Sequence, residues 1–161
     1  MEIELKWIDT EEPLFEKVKT HRWINLLQPL GMPFDYIEGP NDRHPNSFHL
    51  VALRDDKVVG SCSLISVEGS DRAKFYQMSV KKEFRGKGIG KKILLEVIST
   101  LKEKKKIKTK NKLFEKKINV LFCNGIQFAI GFYERLNFKK VGEVFVQGGY
   151  EHYKMEYDLN L

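Results

Sequence analysis

A single α/β domain is the fold class this sequence predicts, and three observations predict it. The first is size: 161 residues at 42% apolar composition suffice for one core and are too few for two ordinary domains. The second is the pattern from Ala73 onward, where strand-like and helix-like runs alternate, an order that calls for parallel neighbours joined by helical crossovers. The third lies upstream, where two apolar runs flank the turn-rich Arg54-Asp55-Asp56-Lys57 and read as a hairpin.

Taken in order, Glu2 to Ile8 reads as a short strand. Thr10 is placed to cap a first helix whose opening turn holds Glu11, Glu12 and Pro13, residue types that a helix N-terminus accepts. All five prolines precede residue 46 and four lie between Gln28 and Asn46, so that stretch reads as a long loop with one short helical turn. Phe48–Leu53 and Val58–Ser66 form the hairpin. Ala73–Val80 is the next strand, with Tyr76, Met78 and Val80 assigned to one face. Helix Gly88–Lys106, strand Ile118–Cys123, helix Ile126–Leu136 and strand Lys139–Val146 follow, and His152–Leu159 closes the chain. On that last strand Tyr153, Met155, Tyr157 and Leu159 take one face; His152, Lys154, Glu156 and Asp158 take the other.

The net charge of +6 is local. Between Lys102 and Lys117 nine lysines face two glutamates, a balance of +7 that leaves the remainder of the chain at −1. The run has no arginine and one aromatic residue, Phe114, so it reads as a solvated helix end and a loop insertion around 104–117, with no nucleic-acid partner expected. A nucleic-acid or acidic-partner binding module built on Lys102–Lys117 is the competing reading. No stretch approaches the ~20 apolar residues of a membrane span, and Met1-Glu2-Ile3-Glu4-Leu5-Lys6 lacks the pattern of a signal peptide. A cytoplasmic protein is expected. Cys62 and Cys123 fall in apolar strand-like runs and read as buried small hydrophobes, and no spacing of His, Cys or carboxylates suggests a metal.

The most informative segment runs from Gln77 to Lys92. A strand stops at a charged turn, three alternate glycines, Gly86, Gly88 and Gly90, stand among basic residues, and a helix opens with Ile93, Leu94, Val97, Ile98 and Leu101 on one stripe. Such glycines leave backbone N–H groups uncovered, and a helix N-terminus adds its own N–H groups and positive dipole end, so the segment suits a phosphate. It is not a P-loop, because only Lys87, Gly88 and Ile89 separate Gly86 from Gly90-Lys91 and Lys92 follows. Nor does it fit the dinucleotide fingerprint, since Gly90 is only two residues after Gly88.

Arg85, Gly88 and Gly90 form the Arg-x-x-Gly-x-Gly pattern that resembles the coenzyme A pyrophosphate loop of the GNAT N-acetyltransferase superfamily. A second segment, Asn124 to Phe138, is similar to that family's Asn-x₄-Ala-x-x-Phe-Tyr-x-x-x-Gly-Phe pattern, with Asn137 where glycine is usual. The departure is mild, because Asn is the next most tolerant residue of the left-handed conformation. A third, Gly149 to Met155, resembles the Gly-Ile-x-His-x-x-Met ending of an uncharacterised subgroup that also carries stretches like Pro29–Pro33 and His49–Ala52. Together these cover about residues 20–159 of one GNAT-like domain, 1–161.

The resemblance implies an acyl-CoA N-acyltransferase fold, a mixed central sheet of about 6–7 strands flanked by about four helices. It also implies an enzyme that moves an acyl group from acetyl-CoA to a primary amine, either a small molecule or a protein amino group, acting as monomer or homodimer; a domain that binds coenzyme A without turnover is the alternative within the same resemblance. The coenzyme would be held by Met78, Ser79 and Val80 on the strand and by Arg85, Gly86, Lys87, Gly88, Ile89, Gly90 and Lys91 in the loop. Lys92 would add charge, and Asn124 and Phe132 would complete the contacts. Asn124 alternatively suits a helix N-cap. Tyr133 stands at the family's tyrosine position and would protonate the departing thiolate, and His152 is the best titratable candidate for a base. His44 and His49 are weaker candidates, and Gln77 cannot take a proton at neutral pH. The proline-rich loop would form one wall of the acceptor site.

Overall fold

The two apolar runs between residues 47 and 66 close into an antiparallel pair in the computed structural model, which describes residues 1–161. β2 (Ser47–Arg54) and β3 (Lys57–Ser66) are joined through Asp55 and Asp56, whose φ values of 50° and 62° are those a two-residue hairpin turn requires. β1 (Glu4–Ile8) pairs antiparallel with β2, and β4 (Arg72–Val80) with β3. β7 (Val120–Ile126) then joins β4 in parallel, β9 (Tyr150–Asp158) joins β7, and β8 (Lys139–Gln147) forms the edge. The result is one mixed sheet in the order β1-β2-β3-β4-β7-β9-β8.

α1 (Leu14–Arg22) continues into a π-helical turn, Trp23–Leu27, and covers one face together with the loop to β2, which holds the expected short helical turn at Phe34–Ile37. α2 (Ile89–Lys102) and α3 (Ile130–Arg135) cover the other. There are three α-helices rather than about four. The stripe on α2 is buried as its periodicity predicts, and the helix stops at Lys102 instead of Lys106 because Lys104 turns left-handed, φ 56°, while the Lys105 N–H reaches back to the Thr100 carbonyl. α3 is shorter than Ile126–Leu136 because β7 runs on to Ile126 and a 3-10 turn, Gln127–Ala129, intervenes. Asn137 takes φ 70°, the left-handed step expected of it.

Two local expectations are corrected. In β4 the register against β3 shifts between Ser61 and Ser63, and Gln77 takes φ 49°. This bulge inserts one residue, so Tyr76 and Ser79 face α1 while Met78 and Val80 pack into the core beneath α2. Tyr76, Met78 and Val80 therefore do not share a face. The first helix, moreover, has no side-chain cap from Thr10; the neighbouring Asp9 carboxylate accepts the Glu11 N–H instead.

The lysine-rich run is not a solvated loop. It folds as a hairpin of β5 (Ile107–Lys108) and β6 (Leu113–Phe114), and Ile107, Phe114 and Ile118 enter the main core. Alternation explains it: Ile107 and Thr109 point inward while Lys106, Lys108 and Lys110 stay in solvent. Thr109 Oγ1 and both nitrogens of Asn111 donate to the fully buried Asp9 carboxylate at 2.6–3.1 Å. Lys112 Nζ donates to the His44 and Ser47 carbonyls, fixing the end of the proline-rich loop.

Burial alone would raise the Asp9 carboxyl, but the bonds from Thr109, Asn111 and Glu11 outweigh it and hold it below the ordinary range. Asp9→Ala is expected to lower stability by about 2–4 kcal/mol in denaturant melts. Because the folded value is depressed, this contribution is present above the unfolded carboxyl value of about 3.9 and is lost as pH falls through the folded value, so the gap between variant and parent should close in acid.

Candidate active site

Between β4 and α2 the chain forms an anion cradle. Gly86 and Gly88 have φ of 75° and 83°, conformations that side chains rarely adopt, and open space surrounds the position a Cβ would take at either. None of the amides from Gly86 to Lys91 donates to a carbonyl or side chain of the protein, and no side chain caps the α2 N-terminus. Six uncommitted N–H groups and the positive end of a helix dipole lie there, features that favour an anion.

The two sequence motifs meet at this place. A Cβ on Gly90 would lie 3.6 Å from Val80 Cγ2 and 3.7 Å from the Phe132 ring, so Val80 on β4, the start of α2 and Phe132 on α3 meet at one place. Ile89 is buried and anchors the loop, Met78 packs against the core, and Lys87 lies over the Phe84 ring with Nζ 5.5 Å from its centroid. Three expected contacts are directed elsewhere. Arg85 donates to the carbonyls of Val80 (3.1 Å) and Asn25 (2.7 Å), tying the loop to the π-helical turn after α1. Lys92 Nζ donates to the Ile3 carbonyl. Ser79 turns its hydroxyl to His21, 3.0 Å away on the opposite face. Lys91 flanks Gly88 at the outer rim of the cradle, beside Leu5 and Leu95.

β4 and β7 pair only from Arg72–Lys74 to Val120–Phe122, and beyond that point they part. Tyr133 sits over the fork, its ring 5.7 Å from Phe75 and its hydroxyl beside the Cys123 thiol. A side chain at Gly125 would lie 3.2 Å from that ring, so glycine lets Tyr133 rest against β7. Tyr133 is 9% exposed, and its hydroxyl has the Cys123 thiol as its neighbour. Burial, followed by Cys123 and Cys62, raises its pKa well above the ordinary phenol range, so it carries its proton at neutral pH. Burial also pushes Cys123 to about 12 and Cys62 higher still; both are free thiols and neither is a thiolate nucleophile at neutral pH.

The other face carries the remaining candidates. Asn124 lies within β7, paired with Lys154, on the face opposite Tyr133; it caps no helix. His152 is half-buried, stacked on Phe145, with Nδ1 2.9 Å from the Tyr150 carbonyl, an arrangement that places the proton on Nδ1 and leaves Nε2 as an acceptor. His49 is fully buried between Ser63 Oγ and the Asp42 carbonyl, and burial pushes it down to about 4; it belongs to the interior. His44 is exposed on the loop and accepts the Asn46 N–H. The loop reaches across this face, with Met32 Sδ 3.7 Å from the Cβ position of Gly148 in the β8–β9 turn.

Sequence reasoning missed the polar centre under that loop. Arg22 and Asp42, both fully buried, form a two-pronged pair at 2.7 and 3.2 Å, and Asp42 also accepts from the Gly39 N–H and the Tyr76 hydroxyl. Gln77 Oε1 is buried with no partner. His21, pushed by burial to about 4, is neutral beside Ser79, and Asn25 accepts the Lys82 N–H through Oδ1, so the π-helical turn after α1 is joined twice to the segment that leads into the cradle. An arginine and an aspartate twenty residues apart carry no local signal of pairing.

A family model described as an acetyltransferase (GNAT) domain matches residues 45–140. Among solved structures, ElaA of Escherichia coli superposes with a TM-score of 0.77 at 17% identity, covering 98% of this chain and 100% of that one. An acyl-CoA N-acyltransferase from Pseudomonas aeruginosa gives 0.77 at 15% identity over 96% and 99%. The PaiA N-acetyltransferase from Thermoplasma acidophilum, solved in complex with coenzyme A, gives 0.67 at 19% identity over 98% and 99%. At these identities the likeness establishes a shared fold. No helix here is long and apolar enough to cross a membrane.

Proposed function

Since this chain belongs to the GNAT acetyltransferase family, an acyl-CoA-dependent acyltransferase, we propose that it transfers the acyl group directly to a primary amine, with Tyr133 as the general acid. The observation that supports this reading is that Val80, the uncommitted amides of residues 86–91 and Phe132 meet at one place, with Tyr133 next to Phe132 on α3, where β4 and β7 part. The coenzyme supplies an activated acyl thioester. The amine nitrogen forms a bond to the acyl carbon, the carbon–sulfur bond breaks, Tyr133 gives its proton to the sulfur, and the amine proton leaves to His152 Nε2 or to water. With Cys62 and Cys123 held as thiols, direct attack is favoured over an acyl-cysteine route. The amides of Gly86 to Lys91 would hold the diphosphate, Lys87 and Lys91 would add charge, and Arg85 would position the loop rather than contact the phosphate.

Thermal melting with acetyl-CoA tests the coenzyme half. At a hundredfold excess over Kd the expected stabilisation is about 2.7 kcal/mol, a rise of roughly 5–10 °C for a chain of this size. Gly88→Trp places a bulky side chain at a left-handed position facing the cradle; it is expected to abolish that rise while lowering the unliganded stability by only about 1–2 kcal/mol. An unshifted parent protein would refute the reading. A panel of amines assayed by thiol release then reports the acceptor.

A further inference from the structure

The sheet face opposite α2 and α3 carries cations that the transfer chemistry does not use. Arg72 on β4 and Lys154 on β9 both stand over the Phe122 ring, 5.0 and 4.9 Å from its centroid. Lys74 is the cross-strand partner of Phe122, at the last pair that β4 and β7 form. One carboxylate answers the three charges: Glu156 is hydrogen-bonded to Arg72 and lies 3.6 Å from Lys154 Nζ. Lys74 is half-buried and has neither an ion pair nor a hydrogen bond.

Taking an ammonium out of water without a counter-charge is unfavourable, and burial accordingly holds the Lys74 amine below its ordinary range. An anion from solvent would reverse that cost. Further along β4 on this face, Gln77 presents a second unmet group. Its Oε1 is enclosed without a donor, and its Nε2 lies 3.6 Å from the Cβ position of Gly39 in the proline-rich loop. At about 3.3 Å per residue, Lys74 and Gln77 are about 10 Å apart along the strand, with the fork between them.

Resting on the acyl-transfer reading above, we propose that the acceptor is an amine bearing a carboxylate or phosphate, its anion held by Lys74 and Lys154. The geometry asks for the anion: a half-buried cation without a counter-charge stands at the fork of β4 and β7, beside the place where the thioester would present its acyl carbon.

Matched acceptors that differ in charge test it, with saturating acetyl-CoA and thiol release as the readout: phosphoethanolamine against ethanolamine, and 4-aminobutyrate against 4-aminobutanamide. The anionic member of at least one pair is expected to show kcat/KM about 10- to 100-fold above its neutral counterpart, and the pair that responds separates phosphate from carboxylate. Lys74→Met should bring that ratio close to unity while the acetyl-CoA melting shift persists. Lys154→Gln, at a side chain 40% exposed, should reduce the ratio more modestly and serves if Lys74→Met fails to fold. Neutral amines that match or exceed their anionic partners, or a ratio that survives the substitutions, would overturn the proposal. So would a protein stabilised by acetyl-CoA that turns over none of the anionic amines. No stabilisation by acetyl-CoA would instead remove the acyl-transfer reading, and this proposal with it.

Discussion

Replacing Tyr133 with phenylalanine is expected to lower kcat by about 10²- to 10⁴-fold, the contribution of a well-placed general acid, while the KM for acetyl-CoA changes little. The ring keeps its contacts with Phe75, Phe132 and Phe138, and the lost hydroxyl has only a cysteine thiol beside it, so the stability cost should be about 1 kcal/mol or less. That split distinguishes an acid from a core tyrosine: a core residue would move the melting temperature and leave turnover alone. Because burial raises the phenol, Tyr133 stays protonated through the ordinary phenol value of about 10 and imposes no loss of activity on the alkaline side below it. Unchanged turnover in the variant would remove Tyr133 from the proposed role.

Arg22→Ala should produce the largest change in stability. It leaves the Asp42 carboxylate fully buried with only the Gly39 N–H and the Tyr76 hydroxyl as donors, and breaking a buried pair in this way costs about 3–5 kcal/mol. For a domain of this size that corresponds to a fall in Tm of roughly 6–20 °C. In the parent protein burial would raise Asp42, but Arg22 and the Gly39 N–H outweigh it and hold the carboxyl below its ordinary range. Its contribution is therefore present above the unfolded value of about 3.9 and lost as pH falls through the folded value. Without Arg22 the desolvation is left largely unopposed, the carboxyl rises, and the variant's deficit should shrink on mild acidification as Asp42 takes up a proton. Replacing Arg22 and Asp42 together by apolar residues should recover much of the loss, which thermal melts of the single and double variants would measure. The same substitution loosens the proline-rich loop, since Arg22 also donates to the Ile37 carbonyl.

Much of the local structure of the proposed coenzyme half was legible in the sequence. Gly86 and Gly88 announced left-handed backbone, the stripe from Ile93 to Leu101 announced a helix, and the pattern from Asn124 to Phe138 placed Phe132 and Tyr133 on the facing element. The acceptor half was far less so. Gln77 was read as a residue unable to act as a base, and nothing in its neighbours disclosed the bulge that buries its oxygen and parts Tyr76 from Met78. Arg85 was read as a phosphate ligand from its place in the motif, whereas its guanidinium is drawn to two carbonyls, one of them sixty residues away. The lysine run was read by its charge, although Ile107, Phe114 and Ile118 within and beside it supplied enough apolar surface to dock on the core.

The sequence by itself determined what depends on near neighbours. Steric freedom at a glycine, the 3.6-residue period of α2 and the two-residue period of β9 are settled within a few residues, so the cradle and the elements around it follow from local order. Tertiary structure alone decided the rest: which charges lose their water, which find partners, and where two parallel strands cease to touch. Asp9 with Thr109, a hundred residues on, Arg22 with Asp42, and Lys74 without any partner are outcomes of packing, because the energy of a buried charge depends on the atoms brought around it from distant parts of the chain.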